Sequence, residues 1–178
     1  MGERLGRAEW VGAGLEALAR GGVDSVRVEP LARALGVTKG SFYWHFRDRG
    51  ELLSALLDAW AERTEVVIAL AEAGGGDAAG RLRALCGIVM RAEGRLDVAF
   101  RAWSGQAEDA AAARRRVDAR RLGYVEGLFG ELGFGGREAR ARAQVLFDAL
   151  VGQYFMGAGP GERLPDYLDI LLPMLVRR

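Results

Sequence analysis

Between one glycine cluster and the next, the apolar residues of this chain recur at spacings of three and four, the period of a helix face. Trp10, Val11, Gly14, Leu15 and Leu18 lie on one side of a first helix that stops at Gly21-Gly22. Residues Val23 to Val28 alternate for six positions only, with no second strand to pair with, and are read as a connector. Pro30 suits the first turn of a second helix, which carries Leu31, Ala32 and Leu35 and ends at a left-handed Gly36. Thr38 is expected to cap a third helix, Lys39 to Phe46, through its hydroxyl. Asp48 and Glu51 then make an Asp version of the capping box for a long fourth helix, through Leu52, Leu56 and Trp60 to Ala73. Later helices are expected at Asp77 to Arg91, Leu96 to Trp103, Ala107 to Leu132 and Gly136 to Gly157. The last, Glu162 to Val176, should be broken near its end by Pro173. There is no internal repeat. The chain is all-α.

Residue usage removes several function classes. The chain has 178 residues, enough to bury roughly 70% of its unfolded surface without a metal or disulfide staple. Cys86 is the only cysteine, so an internal disulfide is impossible and a reducing cytoplasm is the expected location. One Cys and one His, His45, cannot build a four-ligand zinc site. Nucleophilic catalysis would depend on His45 alone, with no carboxylate constellation beside it, so no catalytic, metal or cofactor site is assigned. The glycine-rich stretches 133–136 and 157–161 follow no strand and are read as turns between helices rather than phosphate cradles. Cys86 is read as a packed thiol and the arginines at 114–116, 120 and 121 as a solvated helix face. No run approaches about 18 apolar residues, and MGERLGRAEW is too charged for a signal peptide, so no membrane role is expected.

Residues 27–49, RVEPLARALGVTKGSFYWHFRDR, read as helix, tight turn at Gly36-Val37, and short second helix: a helix-turn-helix. Leu31, Ala32, Leu35, Val37, Phe42 and Phe46 supply its inner face, completed to a three-helix bundle by Trp10, Leu15 and Leu18. With Phe42 and Phe46 inside, Lys39, Ser41, Tyr43, Trp44 and His45 cannot all be buried, which leaves large aromatics on an outer face. The Tyr43 hydroxyl and Trp44 indole N–H suit phosphate, and Lys39 reaches a phosphate or a guanine edge. Gly40 lets backbone N–H groups approach an anion. Charge follows the same division. Residues 25–49 carry Arg27, Arg33, Lys39, Arg47 and Arg49 against Glu29 and Asp48, a net +3, which leaves −2 for the rest of a chain whose total is +1. The single lysine and the single histidine, against 24 arginines, both fall here.

The run LARALGVTKGSFYWHFRDRGELLSAL, Leu31 to Leu56, resembles the DNA-binding domain of the TetR family of bacterial transcription regulators. The resemblance covers roughly the first 50–56 residues. It implies that residues 1–48 are a helix-turn-helix DNA-binding domain and 49–178 a helical ligand-binding and dimerisation domain. Thr38, Lys39, Gly40 and Ser41 would face the major groove, Tyr43 and His45 would contact phosphate, and Trp44 would contact backbone or a thymine methyl. Arg49 stands where the family's usual Lys clamps a phosphate. Glu29 stands where the tetracycline-repressor subgroup has a base-reading Arg, which implies a different operator, with Arg27 or Arg33 in a reading or anchoring role.

The same resemblance implies a cytoplasmic, two-fold dimer on double-stranded DNA, joined through the last two helices. Leu146, Leu150, Val151, Tyr154, Leu164, Leu168, Leu171 and Leu175 are the expected interface, burial within one subunit being the alternative. The middle helices would enclose a cavity for a small hydrophobic or aromatic effector, with Trp60, Met90, Phe100, Trp103, Tyr124, Phe147, Gln153 and Tyr154 as lining candidates. The expected function is a ligand-responsive repressor. Its rival is a helical small-molecule-binding protein, a co-regulator or an enzyme, that does not bind DNA.

Overall fold

Helices account for nearly all of the regular structure in the computed structural model, which describes residues 5–92, 94–156 and 165–177, without the side chains of 165–168. The helices are α1 (Arg7–Gly21), α2 (Val28–Ala34), α3 (Lys39–Phe42), α4 (Arg49–Gly75), α5 (Ala78–Arg91), α6 (Arg95–Ser104), α7 (Glu108–Glu131), α8 (Gly136–Phe155) and α9 (Pro165–Val176). Among the described residues there is no strand. The connector after α1 is a single 3₁₀ turn, Val23–Ser25, pinned by the Ser25 hydroxyl donating to the Gly22 carbonyl at 2.7 Å.

Glycine ends helices through backbone geometry. Gly36 has φ +69°; its N–H donates to Arg33 O at 3.2 Å while Val37 N–H donates to Ala32 O at 2.9 Å, a Schellman ending of α2. Gly133, at φ +86°, closes α7 in the same way, and the Phe134 ring meets the Phe129 ring at 6.0 Å across the motif.

Four local expectations change. Thr38 precedes α3, but its side chain caps nothing. The α-helical stretch of α3 ends at Phe42 instead of Phe46, and Tyr43 and His45 continue it with tighter i→i−3 bonds to Gly40 and Phe42. Gly40 and the aromatic run that follows are weak helix formers, which accounts for the tightening. Pro173 lies inside α9 without breaking it. The helix runs three residues further, because proline deletes one N–H donor and the remaining ladder carries the last turn. The box opening α4 closes one residue early: Asp48 Oδ1 accepts from Glu51 N–H at 2.9 Å, while Glu51 Oε2 accepts from Arg47 N–H, not Asp48.

The chain divides into two compact units, Met1–Glu62 with Arg95–Arg115, and Arg63–Gly94 with Arg116–Arg178. In the first, Trp10, Leu18, Val26, Phe42, Phe46, Leu52 and Leu56 are fully enclosed, and α6 packs on α1. Gly14 lets α1 and α4 close up, since a Cβ there would stand 3.0 Å from Leu56 Cδ2. Trp60 stacks on Phe100 at 4.5 Å, and Phe100 on Trp103 at 6.0 Å. In the second unit, Leu82, Leu85, Cys86, Val125, Leu128, Phe129, Phe134, Leu146, Leu150 and Leu172 form the core. Arg142 covers its edge, with its guanidinium 4.0 Å over the Phe134 ring.

Candidate nucleic-acid interface and apolar cavity

The turn at Gly36 sets α3 so that Phe42 faces inward. Its ring meets Trp10 edge-on at 5.2 Å and stacks on Phe46 at 5.3 Å. Full burial of such a side chain stabilises by about 1.5–3 kcal/mol, so these rings fix the helix on the bundle. The Arg7 guanidinium lies 4.7 Å from the Phe46 ring and covers the same layer.

What this anchoring turns outward is the informative face. Trp44 is 87% exposed and Tyr43 55%, while Thr38, Lys39 and Gly40 are also exposed and Ser41 and His45 half-buried. The Lys39 ammonium is 2.8 Å from Glu29 Oε1 of α2. Each partner favours the other's charged form: Lys39 holds the Glu29 carboxyl below the usual range, and Glu29 raises the ammonium. Two other sequence-selected arginines hold backbone. Arg27 Nε donates to Asp24 O at 3.0 Å. Arg49, half-buried, donates to Val26 O and Val23 O at 2.6 Å each and ties α4 to the connector before α2. Sequence reading missed both tethers and the Glu29–Lys39 pair. The charges were visible, but their meeting depends on how α2 is set against α3.

Residues 11–56 match the family described as bacterial regulatory proteins, tetR family. Over these residues the chain is similar to that family. Over 56 residues the chain is 39% identical to the HTH-type transcriptional regulator TtgR of Pseudomonas putida, covering 32% of this chain and 27% of that protein. Over 47 residues it is 45% identical to the tetracycline repressor protein class A from transposon 1721 of Escherichia coli, covering 26% of this chain and 22% of that one. The chain thus spans about a quarter of the length of the curated relatives it matches. The whole fold also has a solved counterpart, a transcriptional regulator from Rhodococcus sp. Rha1, with TM-score 0.77 and 22% identity over 97% of this chain and 94% of that one.

Beyond residues 11–56, the second compact unit contains a cavity of about 110 Å³. That is somewhat smaller than a void of roughly 150 Å³ that takes a benzene ring. Val67 and Ile68 of α4, Leu85 and Val89 of α5, Val125 of α7 and Leu150 of α8 give it apolar walls. Thr64, Arg121, Tyr124 and Tyr154 are its polar groups. Arg121 Nε donates to Thr64 Oγ1 at 3.2 Å, and the Tyr154 hydroxyl donates to Val89 O at 3.4 Å. The Tyr124 hydroxyl donates to Glu72 Oε1 at 2.7 Å, and Arg81 joins Glu72 to Glu131. Burial, then the bond to Glu72, pushes the Tyr124 phenol well above its ordinary range, so it stays a neutral donor.

Of the eight lining candidates, Tyr124, Phe147 and Tyr154 are on the cavity wall. Trp60, Phe100 and Trp103 form the aromatic stack of the first unit instead, and Met90 packs against the core of the second. Gln153 is half-buried and off the wall. Thr64 and Arg121 went unselected, although Thr64 breaks the apolar stripe of α4 four residues after Trp60. Of the expected interface residues, Leu146 and Leu150 are buried in the second unit, Val151 and Tyr154 face the cavity, and Leu171 and Leu175 are half-buried against the same core. Leu164 lies outside the described residues, as does the side chain of Leu168. Among the described residues of α8 and α9, the exposed large apolar side chains are Val145, Phe155, Ile170 and Met174. No helix among the described residues is long and apolar enough to cross a membrane.

Proposed function

We propose that this chain is a ligand-responsive, homodimeric transcriptional repressor that reads a pseudo-palindromic DNA operator. The observation that carries the reading is the outer face of α3, where an 87%-exposed tryptophan and an exposed tyrosine flank the turn after a recognition helix otherwise locked inward by Phe42. A solvated face has no need of such aromatics, whereas phosphates and base edges do. Residues 1–48 carry the reading: Thr38, Lys39, Gly40 and Ser41 toward base edges, Tyr43, Trp44 and His45 toward backbone. Arg27 and Arg49, tied to backbone carbonyls, hold the frame and add positive charge. Residues 49–178 bind a small hydrophobic or aromatic effector in the cavity and form the dimer. Two readers about one DNA turn apart, roughly 34–36 Å, would enter successive major grooves. An effector that prefers the other dimer geometry lowers operator affinity by its differential affinity for the two states. The reading places the protein in the cytoplasm and assigns it no catalysis.

Selection from a duplex pool with a randomised core tests this. The enriched duplex should bind tightly and lose roughly 10³–10⁵ in affinity between 50 and 200 mM salt, if six to ten phosphates are neutralised. Tyr43→Ala with Trp44→Ala should weaken it at least tenfold, by about 1.4 kcal/mol or more. A protein that enriches no sequence is not this repressor, and the cavity would then belong to a binding protein of another kind.

A further inference from the structure

We infer that Glu29 is a specificity-determining residue of the DNA-reading face, positioning Lys39 for a base edge and withholding it from phosphate. The inference rests on the DNA-binding reading above. Lys39 is the chain's only lysine and opens the recognition helix. An ammonium on a flexible four-carbon stem there would, left alone, sweep across whichever phosphate came near. It is not left alone. Its Nζ is 2.8 Å from Glu29 Oε1, a contact made across ten residues of sequence between α2 and α3.

Stability does not explain the pair, because exposed ion pairs contribute little, and both side chains here are more than half exposed. A first-turn acid on α2 would meet the helix dipole without any lysine. The placement is also unfavourable for a general polyanion binder: Glu29 is the only acidic residue of α2 and α3, exposed and beside the lysine that the DNA-binding reading turns to the groove. Its chemistry suits the floor of the major groove. A carboxylate accepts from the N4 amino group of cytosine, and an ammonium donates to O6 and N7 of guanine. Held together, the two present a matched acceptor and donor to one G·C pair, while the carboxylate disfavours any register that brings it against phosphate.

The test compares the wild-type full chain with Glu29→Gln, Lys39→Gln and the double variant, using a randomised duplex pool and salt titrations on random-sequence duplex. Gln keeps the size of Glu at an exposed site, and far-UV circular dichroism with thermal melting verifies that all four proteins fold alike. The wild type should select a G·C pair at one position per half-site. Glu29→Gln should relax that preference by roughly 5- to 150-fold. It should also bind random duplex more tightly, with the log–log salt slope steeper by about 0.9 per subunit as Lys39 takes up a phosphate. The extra slope should vanish in the double variant. A wild type that selects a site, beside a Glu29→Gln that keeps both preference and slope, overturns the inference and leaves the repressor reading intact. Extra slope persisting in the double variant overturns it too, since the effect would be general charge. A wild type that selects nothing overturns the repressor reading, and this inference with it.

Discussion

Asp97 shows how one residue is assigned by its surroundings. It lies on α6, one position after Leu96 and four before Arg101, the spacing at which an acid and a base on an exposed helix face form an ordinary surface pair. In the structure it is buried, accepting from the Trp60 indole at 3.1 Å and from Arg101 Nε at 2.8 Å. Period alone could not reveal this, because Trp60 and Asp97 are 37 residues apart and meet only when α4 and α6 pack. Asp97→Ala should destabilise by about 1–3 kcal/mol, since it removes the acceptor of the Trp60 and Arg101 bonds at a buried position. Urea unfolding followed by tryptophan fluorescence measures it. A loss under about 1 kcal/mol would mean that the aromatic stack, and not the acid, holds α6 in place.

Among the elements, helix ends were the most legible feature and helix lengths less so. Gly36 and Gly133 announce their roles because only a residue without Cβ adopts the left-handed closing geometry cheaply. The short α3 was hidden, since no residue between Gly40 and Phe46 is a formal breaker and the tightening is cumulative. Pro173 misled for the opposite reason, a strong local signal overridden by its setting in α9. Two glycine substitutions should therefore act with opposite sign. Gly36→Ala forces a side chain into φ +69° and should cost about 1–2 kcal/mol, a fall of roughly 2–8 °C in Tm for a chain of this size. Gly12→Ala, on the exposed face of α1 with nothing within 4 Å, should raise stability by up to about 1 kcal/mol. Equal effects in calorimetry would contradict the assignment of Gly36 to the turn.

Over the whole molecule, the all-helical architecture and the place of the helix-turn-helix were legible, because period and helix-ending glycines specify them together. The inward or outward fate of the C-terminal leucines was not. Core, cavity wall and subunit interface all demand apolar residues at the same spacing, so Leu146 and Leu150 looked like interface while the second unit's core took them, and Leu175 packs half-buried against that core. The proposed dimer then falls to residues the core leaves out, such as Val145, Ile170 and Met174. Ile170→Glu with Met174→Glu should shift the chain to a monomer in light scattering and abolish tight operator binding, with helix content unchanged by circular dichroism. Retention of a dimer would move the interface elsewhere.

The packing of α6 on α1 has a consequence for modularity. The compact unit that contains the helix-turn-helix is assembled from two stretches of chain, the second beginning at Arg95. Cutting or grafting after the last residue of the helix-turn-helix would strip α1 of its α6 partner and of the α4 leucines, Leu52 and Leu56, that pack against Gly14. A transplanted helix-turn-helix must therefore carry α6 with it, which makes this headpiece portable only as a spliced insert and not as a simple N-terminal cassette.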